Sequence, residues 1–301
     1  MTGLTTKNKP VISGGTYRKN NIISHYDRRY GEHQLTICIA AIGKDKDDEV
    51  IVFATDHMVS IYMGEEHGYW KFEHSITKYK NINKNVIAMF AGNPLVVEDL
   101  LKDTRNCKTY SDIKDQIFKN FKNLRDNQLK QGFFEILGID RDFMKENLGK
   151  EISNEYIKRI LDVYFNFSVG SSILLIGFEE IDNKQQAMIA DITEGRSTDF
   201  GEMTFHAIGT GSAQAVNTLY FQSHKRDDPV LTTIYDVFKA KKFAEVCEGV
   251  GQKTDLGILR IDGKTMIDPK EFEEKGILKS VYDKEMKQAR AHKNLKLLKL
   301  K

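Results

Sequence analysis

Hydrophobic and polar positions alternate in blocks along this chain, and the first clear block begins at Leu35. Residues 35–42, "LTICIAAI", and residues 49–56, "EVIVFATD", are two apolar runs rich in β-branched side chains. The polar stretch "GKDKDDE" joins them. Two such runs around a polar turn are typical of an antiparallel β-hairpin, and the pattern therefore predicts one over residues 35–56.

A third apolar run follows in residues 77–92, "TKYKNINKNVIAMFAG". Its segment Val86–Ala91 is apolar without interruption, which is typical of a strand covered on both faces. The run ends at Gly92, and Asn93-Pro94 comes next. Proline is tolerated at the first position of a helix, where its missing N–H has no partner to lose, so we expect a helix to begin here.

The spacing of apolar residues changes to a helical one between residues 110 and 167. Ile113, Ile117, Phe121 and Leu124 recur at intervals of three and four, and residues 153–165 carry a second stripe of this kind. Residues 131–151 between the two stripes lack the pattern and are predicted to be an inserted loop or a short helix.

Strand and helix patterns then repeat in the second half of the chain. Strands are predicted in residues 172–180, 186–193 and 205–212, helices in 212–224 and 232–250, and a last strand in 254–262. Because strands and helices come in separate blocks, the order predicts an α+β fold in layers and not alternating βαβ units.

Composition sets off the two ends of the chain. Residues 1–34 are polar and basic with Pro10 and Gly14-Gly15, and they are predicted to be an extension or propeptide. Residues 35–268 are predicted to form the main domain. Residues 269–301 are predicted to be a basic helical extension, with seven Lys or Arg against one Glu from Lys284 onward. Such a composition is typical of a solvated terminal helix, and contact with an acidic surface is the alternative.

Composition also narrows the function classes. The net charge is only +2, so we expect no nucleic-acid partner. The apolar runs are too short to span a bilayer, so we expect no association with a membrane. Residues 1–34 contain no apolar signal segment of the kind that directs secretion. The chain has three cysteines, which fit neither a disulfide framework nor a zinc site: Cys38, Cys107 and Cys247. We therefore expect a cytoplasmic protein without a metal or cofactor.

Three segments resemble the proteasome subunit family and its bacterial HslV-type relatives, which are N-terminal-nucleophile (Ntn) hydrolases. "VIVFATDHMVS" (50–60) is similar to the family's strand followed by D-x-R-x-T/S, and "ITKYKNINKNVIAMFAG" (76–92) to its K-[IV]-x-x-I…A-x-x-G strand pair. "FHAIGTGSAQAVNTL" (205–219) resembles its AIGSGS-x-x-A turn. The resemblance runs from about Leu35 to Ile261. It implies a four-layer αββα sandwich, in which two antiparallel sheets pack between helical layers.

The resemblance also implies a chemistry and a set of residues. A threonine at a free amino terminus attacks a peptide carbonyl while its own α-amine acts as base, a lysine held by a carboxylate assists, and a glycine N–H stabilises the oxyanion. The positions that match these catalytic roles, together with an accessory hydroxyl, are Thr36, Asp56, Lys78, Gly92 and Thr210. Ser60 matches a substrate-binding position. Implied partners are like or paralogous subunits in a ring, a regulatory ATPase, and unfolded protein or peptide as substrate.

Two interpretations from different classes stay open at this point. In the first, favoured because the lysine, carboxylate and hydroxyl are all present, the chain is a threonine-type peptidase cut before Thr36. In the second it is a non-catalytic, α-like structural or gating subunit. The residue before Thr36 is Leu35, where active members have glycine, and Glu248 stands near a position where the family often has aspartate. A third interpretation is another amide-bond activity, such as that of an amidase or transpeptidase.

Overall fold

Twelve strands and six α-helices make up the regular structure of the described part of the chain. A computed structural model describes residues 36–62, 69–73, 76–135, 146, 154–272 and 276–291. The predicted extension 1–34 and residues 292–301 of the basic extension lie outside these ranges.

The strands, in chain order, are β1 (Cys38–Asp45), β2 (Asp48–Asp56), β3 (Met58–Tyr62), β4 (Tyr69–Glu73), β5 (Tyr79–Asn81), β6 (Val86–Gly92), β7 (Ser171–Ile181), β8 (Lys184–Ile192), β9 (Ser197–Asp199), β10 (Phe205–Ile208), β11 (Thr254–Arg260) and β12 (Gly263–Met266). The α-helices are α1 (Val97–Leu100), α2 (Tyr110–Leu129), α3 (Asn154–Asn166), α4 (Ser212–Phe221), α5 (Val230–Ala244) and α6 (Ile277–Ala291).

The strands of the described residues form two five-stranded antiparallel sheets and a separate ribbon. The first sheet has the order β10-β1-β2-β11-β12, and the second has the order β5-β6-β7-β8-β9. β1 and β2 form the predicted hairpin, with Cys38 opposite Thr55 and Asp45 opposite Asp48. The ribbon pairs β3 with β4 and was not predicted from the sequence.

Three buried clusters show how the layers pack. Ala40, Ile42, Met89 and Leu174 belong to the cluster between the two sheets. Ile39 and Val52, on the other face of the first sheet, pack with Phe238 of α5. The second sheet buries its other face against α1 and α2. The α+β prediction is therefore confirmed, and the layering is compatible with a sandwich.

Local signals explain where several helices begin. Thr109 caps α2 by accepting a hydrogen bond from the Asp112 N–H (3.0 Å), and the Asp112 side chain accepts one from the Thr109 N–H in return, which is a capping box. Asn93 accepts from the Leu95 N–H, but Pro94–Val96 form a 3₁₀ turn before the short helix α1 instead of a continuous helix. Lys130–Phe134 form a π-helical turn where an inserted loop or short helix was predicted. Most of that insertion lies outside the described residues.

None of the helices in the described ranges combines the length and the apolar character that crossing a bilayer requires. The predicted cytoplasmic location is not tested by this observation and stays a prediction.

Candidate functional site

Thr36 lies at the entrance to β1, two residues before the strand begins. The β1–β2 register brings Asp56, the last residue of β2, beside this entrance, because Cys38 pairs with Thr55. Lys78 immediately precedes β5, and its carbonyl accepts a hydrogen bond from Phe90 N (3.0 Å) in β6. Three separate segments, belonging to both sheets, therefore place one functional side chain each at the same point.

The side chains of these three residues are joined by hydrogen bonds. The Thr36 hydroxyl donates to Asp56 Oδ1 and accepts from Lys78 Nζ. Lys78 Nζ also lies 3.0 Å from Asp56 Oδ1, forming an ion pair. Thr36 is 1% exposed and Asp56 is fully buried. In such a water-poor environment the two charges act on the hydroxyl more strongly than they would in bulk water.

The Asp56 carboxylate is held by three backbone amides in addition to its side-chain partners. Oδ1 accepts from Ile37 N (3.2 Å), while Oδ2 accepts from Gly251 N (2.7 Å) and, at 3.4 Å, from Met58 N. Hydrogen bonds from backbone amides fix the orientation of a buried carboxylate. Asp56 can therefore accept a proton from Thr36 or hold the Lys78 ammonium beside the hydroxyl.

Cys38 is the nucleophilic side chain nearest to Thr36 along the chain. Its thiol is fully buried and donates to the Phe90 carbonyl (3.4 Å). Burial raises the pKa of the Cys38 thiol well above its usual value, and the opposing effect of the Lys78 charge is smaller. Because only the thiolate is a strong nucleophile, Cys38 does not compete with Thr36.

The remaining predicted site residues lie on neighbouring loops and strands. Gly92 ends β6 with φ +104°, and a Cβ atom there would lie 2.1 Å from the Gly170 carbonyl oxygen. Thr210 is an exposed residue between β10 and α4, directly after Gly209, which packs against the Thr36 backbone. Ser60 lies in β3 opposite Lys71. The oxyanion, accessory and substrate-binding roles of these residues stay predictions.

Sequence reasoning did not identify two residues that support this site, Gly251 and Lys241. Gly251 donates its N–H to Asp56, and its carbonyl accepts from Lys241 Nζ at 2.8 Å. The only signal was the glycine pair Gly249 and Gly251 just before the last predicted strand. A lysine in a helical pattern gives no indication that its side chain is buried.

Among the described residues, one group has the composition of a metal site. His224, Asp228 and Asp236 bring their ligand atoms within 4.8 Å of one another. His224 Nδ1 lies 3.1 Å from Asp236 Oδ2, and Nε2 lies 2.8 Å from the Ile42 carbonyl oxygen. Both ring nitrogens thus have protein partners, and these contacts tie the segment between α4 and α5 to α5 and to β1. Two further histidines, His57 and His206, pair with Asp255 (3.0 Å) and Asp191 (3.6 Å).

Comparison with known proteins does not extend these observations, because no protein-family model matches the chain and no curated protein matches it either.

Proposed function

We propose that this chain is a proteasome-type Ntn hydrolase of the αββα fold, a threonine-type peptidase whose nucleophile is the Thr36 hydroxyl. One observation carries the proposal: the Thr36 hydroxyl is hydrogen bonded to both Asp56 and Lys78, at the start of a strand in an antiparallel sheet. Segments far apart in sequence meet at this buried point, and the three residue types are those that the chemistry needs.

The first proposed reaction is cleavage of the chain itself. Thr36 Oγ1 adds to the carbonyl carbon of Leu35, the hydroxyl proton passes to Asp56, and the C–N bond to Thr36 breaks as the Thr36 nitrogen takes up a proton. Water then hydrolyses the resulting ester. The products are a chain beginning at Thr36 and a released segment ending at Leu35. Since Thr36 is 1% exposed, a peptide from outside cannot reach its hydroxyl in the intact chain. An inaccessible nucleophile is what we expect of a precursor that has not yet been cut.

The second proposed reaction is hydrolysis of peptide bonds in other chains. The freed α-amine of Thr36 accepts the hydroxyl proton, Oγ1 attacks the substrate carbonyl, and the amine protonates the leaving nitrogen. Water, deprotonated by the same amine, then hydrolyses the Oγ1 ester, which releases the acid product and restores the hydroxyl. The Lys78 ammonium favours the developing alkoxide, and Asp56 holds the lysine in place. Gly92 and Thr210 are the proposed oxyanion donor and accessory hydroxyl. Assembly into a ring of like subunits, with unfolded protein or peptide as substrate, is part of the same proposal.

The test is the intact mass and amino-terminal sequence of the purified protein, beside Thr36→Ala and Thr36→Ser variants. We expect wild type to begin at Thr36, Thr36→Ser to be cut at the same bond, and Thr36→Ala to stay full length. The wild-type chain should then hydrolyse fluorogenic peptides, and its mass in solution should correspond to a ring.

A full-length amino terminus in all three proteins, with no peptide hydrolysis, would overturn the peptidase proposal. The alternative supported by Leu35, a non-catalytic structural subunit, would then be the better interpretation. Ring assembly without cleavage would favour that alternative directly.

A further inference from the structure

Lys241 of α5 is a fully buried lysine behind the candidate site. Its Nζ donates to the Gly251 carbonyl (2.8 Å) and to Glu245 Oε1 (2.7 Å). Burial lowers the pKa of Lys241, and the nearby carboxylates of Glu245 and Asp56 oppose this shift. Burying an ammonium group costs free energy that an apolar side chain of similar length would not. The hydrogen bond to the Gly251 carbonyl is a contact that such an apolar side chain could not make.

Gly251 connects this lysine with the carboxylate of the site. The residue accepts from Lys241 through its carbonyl and donates to Asp56 Oδ2 (2.7 Å) through its N–H. Its surroundings leave little space, because a Cβ atom on Gly251 would lie 2.7 Å from Glu73 Oε1 and 3.1 Å from Met58 Cβ. Because the Gly251 N–H donates directly to Asp56, a small displacement of residue 251 would lengthen or bend this hydrogen bond.

We propose that Lys241 is a positioning residue for the Thr36 site. It fixes Gly251, the Gly251 amide fixes the Asp56 carboxylate, and Asp56 in turn aligns the Thr36 hydroxyl with Lys78. The effect of Lys241 on reaction rate rests on the proposed function, whereas its effect on the Gly251–Asp56 hydrogen bond does not.

Lys242 offers a matched control on the same helix. Its Nζ binds the same Glu245 carboxylate, at 2.9 Å from Oε1 and 3.2 Å from Oε2. The hydrogen bond to Gly251 comes from Lys241. A Lys242→Met variant therefore removes one charge and one ion pair from this region while leaving the Gly251 carbonyl with its donor. In Lys241→Met, Glu245 keeps Lys242 as a partner, so no carboxylate is left unpaired.

The experiment compares Lys241→Met, Lys241→Arg and Lys242→Met with wild type by NMR and by cleavage rate. Labelling valine carbonyls with ¹³C and glycine amides with ¹⁵N selects two signals, because Gly170 and Gly251 are the glycines that follow valine. Gly170 donates to Ser168 Oγ (3.0 Å) and serves as the internal reference. An amide proton bound to a carboxylate resonates downfield.

We expect Lys241→Met to move the Gly251 amide proton upfield and leave that of Gly170 in place, while Lys242→Met moves neither. Cleavage before Thr36 should slow by about 10- to 100-fold in Lys241→Met, as expected for a misplaced catalytic group. Lys241→Arg should restore part of the rate. The melting temperature of Lys241→Met should be lower than that of wild type, because the Gly251 carbonyl loses its donor, so the rates are compared at a temperature where both proteins are folded.

An unmoved Gly251 signal in Lys241→Met, or an equal shift in Lys242→Met, would overturn the proposal. If Lys241→Met does not fold, the double variant Lys241→Met/Glu245→Gln, which removes both charges, supports the same measurement. A wild-type chain that is never cut would refute the proposed function alone, since the Gly251 signal would still decide whether Lys241 positions Asp56.

Discussion

The carbonyl oxygen of Thr36 lies 2.3 Å from the position that a Cβ atom on Gly209 would occupy. Gly209 also has φ +97°, a conformation that side chains with a Cβ rarely adopt. The turn after β10 can therefore approach the entrance of β1 because residue 209 is glycine. This contact holds the backbone of the candidate nucleophile and also lies close to its Cγ2 methyl group.

Gly209→Ala should destabilise the protein and displace Thr36. Positive φ and overpacking against backbone together cost about 3 kcal/mol, measurable as a lower urea midpoint with an unchanged slope. Cleavage before Thr36 should slow as well. Gly195→Ala is the control, because nothing lies within 4 Å of the added Cβ. Equal stability of the two variants would show that the Gly209 contact relaxes without cost.

Asp56→Asn should slow cleavage before Thr36 by about 100-fold or more, because the amide neither accepts the hydroxyl proton nor pairs with Lys78. The rate is measured by the mass of the chain over time after purification. Asp255→Asn removes a carboxylate that pairs with His57, in the strand beside β2, and should leave the rate within about twofold. A normal rate in Asp56→Asn would contradict the assigned role of Asp56.

Asp236→Ala should destabilise the fold without slowing cleavage in the folded fraction. The variant removes the closer of two carboxylates from the buried His224 ring, since Asp228 Oδ2 lies at 3.4 Å. Losing one partner of a buried polar pair costs about 3 kcal/mol. Asp227→Ala removes an exposed pair with Lys44 (2.6 Å) from the same turn and should leave the urea midpoint nearly unchanged. Similar losses in both variants would exclude a special contribution from the buried pair.

The Glu49–Arg226 pair should make stability depend on pH in the acid range. Burial alone would raise the pKa of Glu49, but hydrogen bonds from Arg226 and from the Ala187 N–H outweigh it and hold the pKa below its ordinary value of 4.5. Since the folded pKa is the lower one, Glu49 contributes stability above pH 4.5 that is lost as the pH falls through the folded value. The pair lies beside a cavity of about 700 Å³.

The measurement for this pair is the melting temperature of wild type and Glu49→Gln from pH 7 to pH 3. We expect wild type to be more stable at pH 7 and the difference to shrink towards pH 3. A difference that stays constant over this range would show that packing of the side chain, and not its charge, stabilises this corner of the fold.

The sequence was sufficient for the elements whose stability depends on local patterning. The β1–β2 hairpin and β6 were predicted because buried strands carry alternating or continuous apolar residues, which are visible in the sequence. β6 is apolar on both faces. The ribbon of β3 and β4 was missed because the six residues "MGEEHG" between "MVSIY" and "YWKFE", despite their two glycines, are more than the two to five that are typical of a hairpin loop. The helix expected at Pro94 was divided into a 3₁₀ turn and α1, a boundary that propensity does not determine.

The candidate site was predicted in part, and only through resemblance. Thr36 and Asp56 are 20 residues apart, and Asp56 and Lys78 are 22 residues apart. No local sequence pattern predicts that their side chains are in contact. Gly251 joins Asp56 across 195 residues through a backbone N–H, which every residue except proline carries. Such contacts depend on tertiary packing, and sequence spacing alone could not reveal them.

The hydrogen bond between Gly251 and Asp56 also has a consequence for biosynthesis. Residue 251 is translated 195 residues after Asp56, which takes about 10–40 s at ordinary elongation rates. During that interval the ribosome-bound chain already carries Thr36, Asp56 and Lys78, but the amide that orients the carboxylate has not yet been made. Under the proposed function, self-cleavage at its full rate therefore follows the synthesis and folding of the segment that contains residue 251.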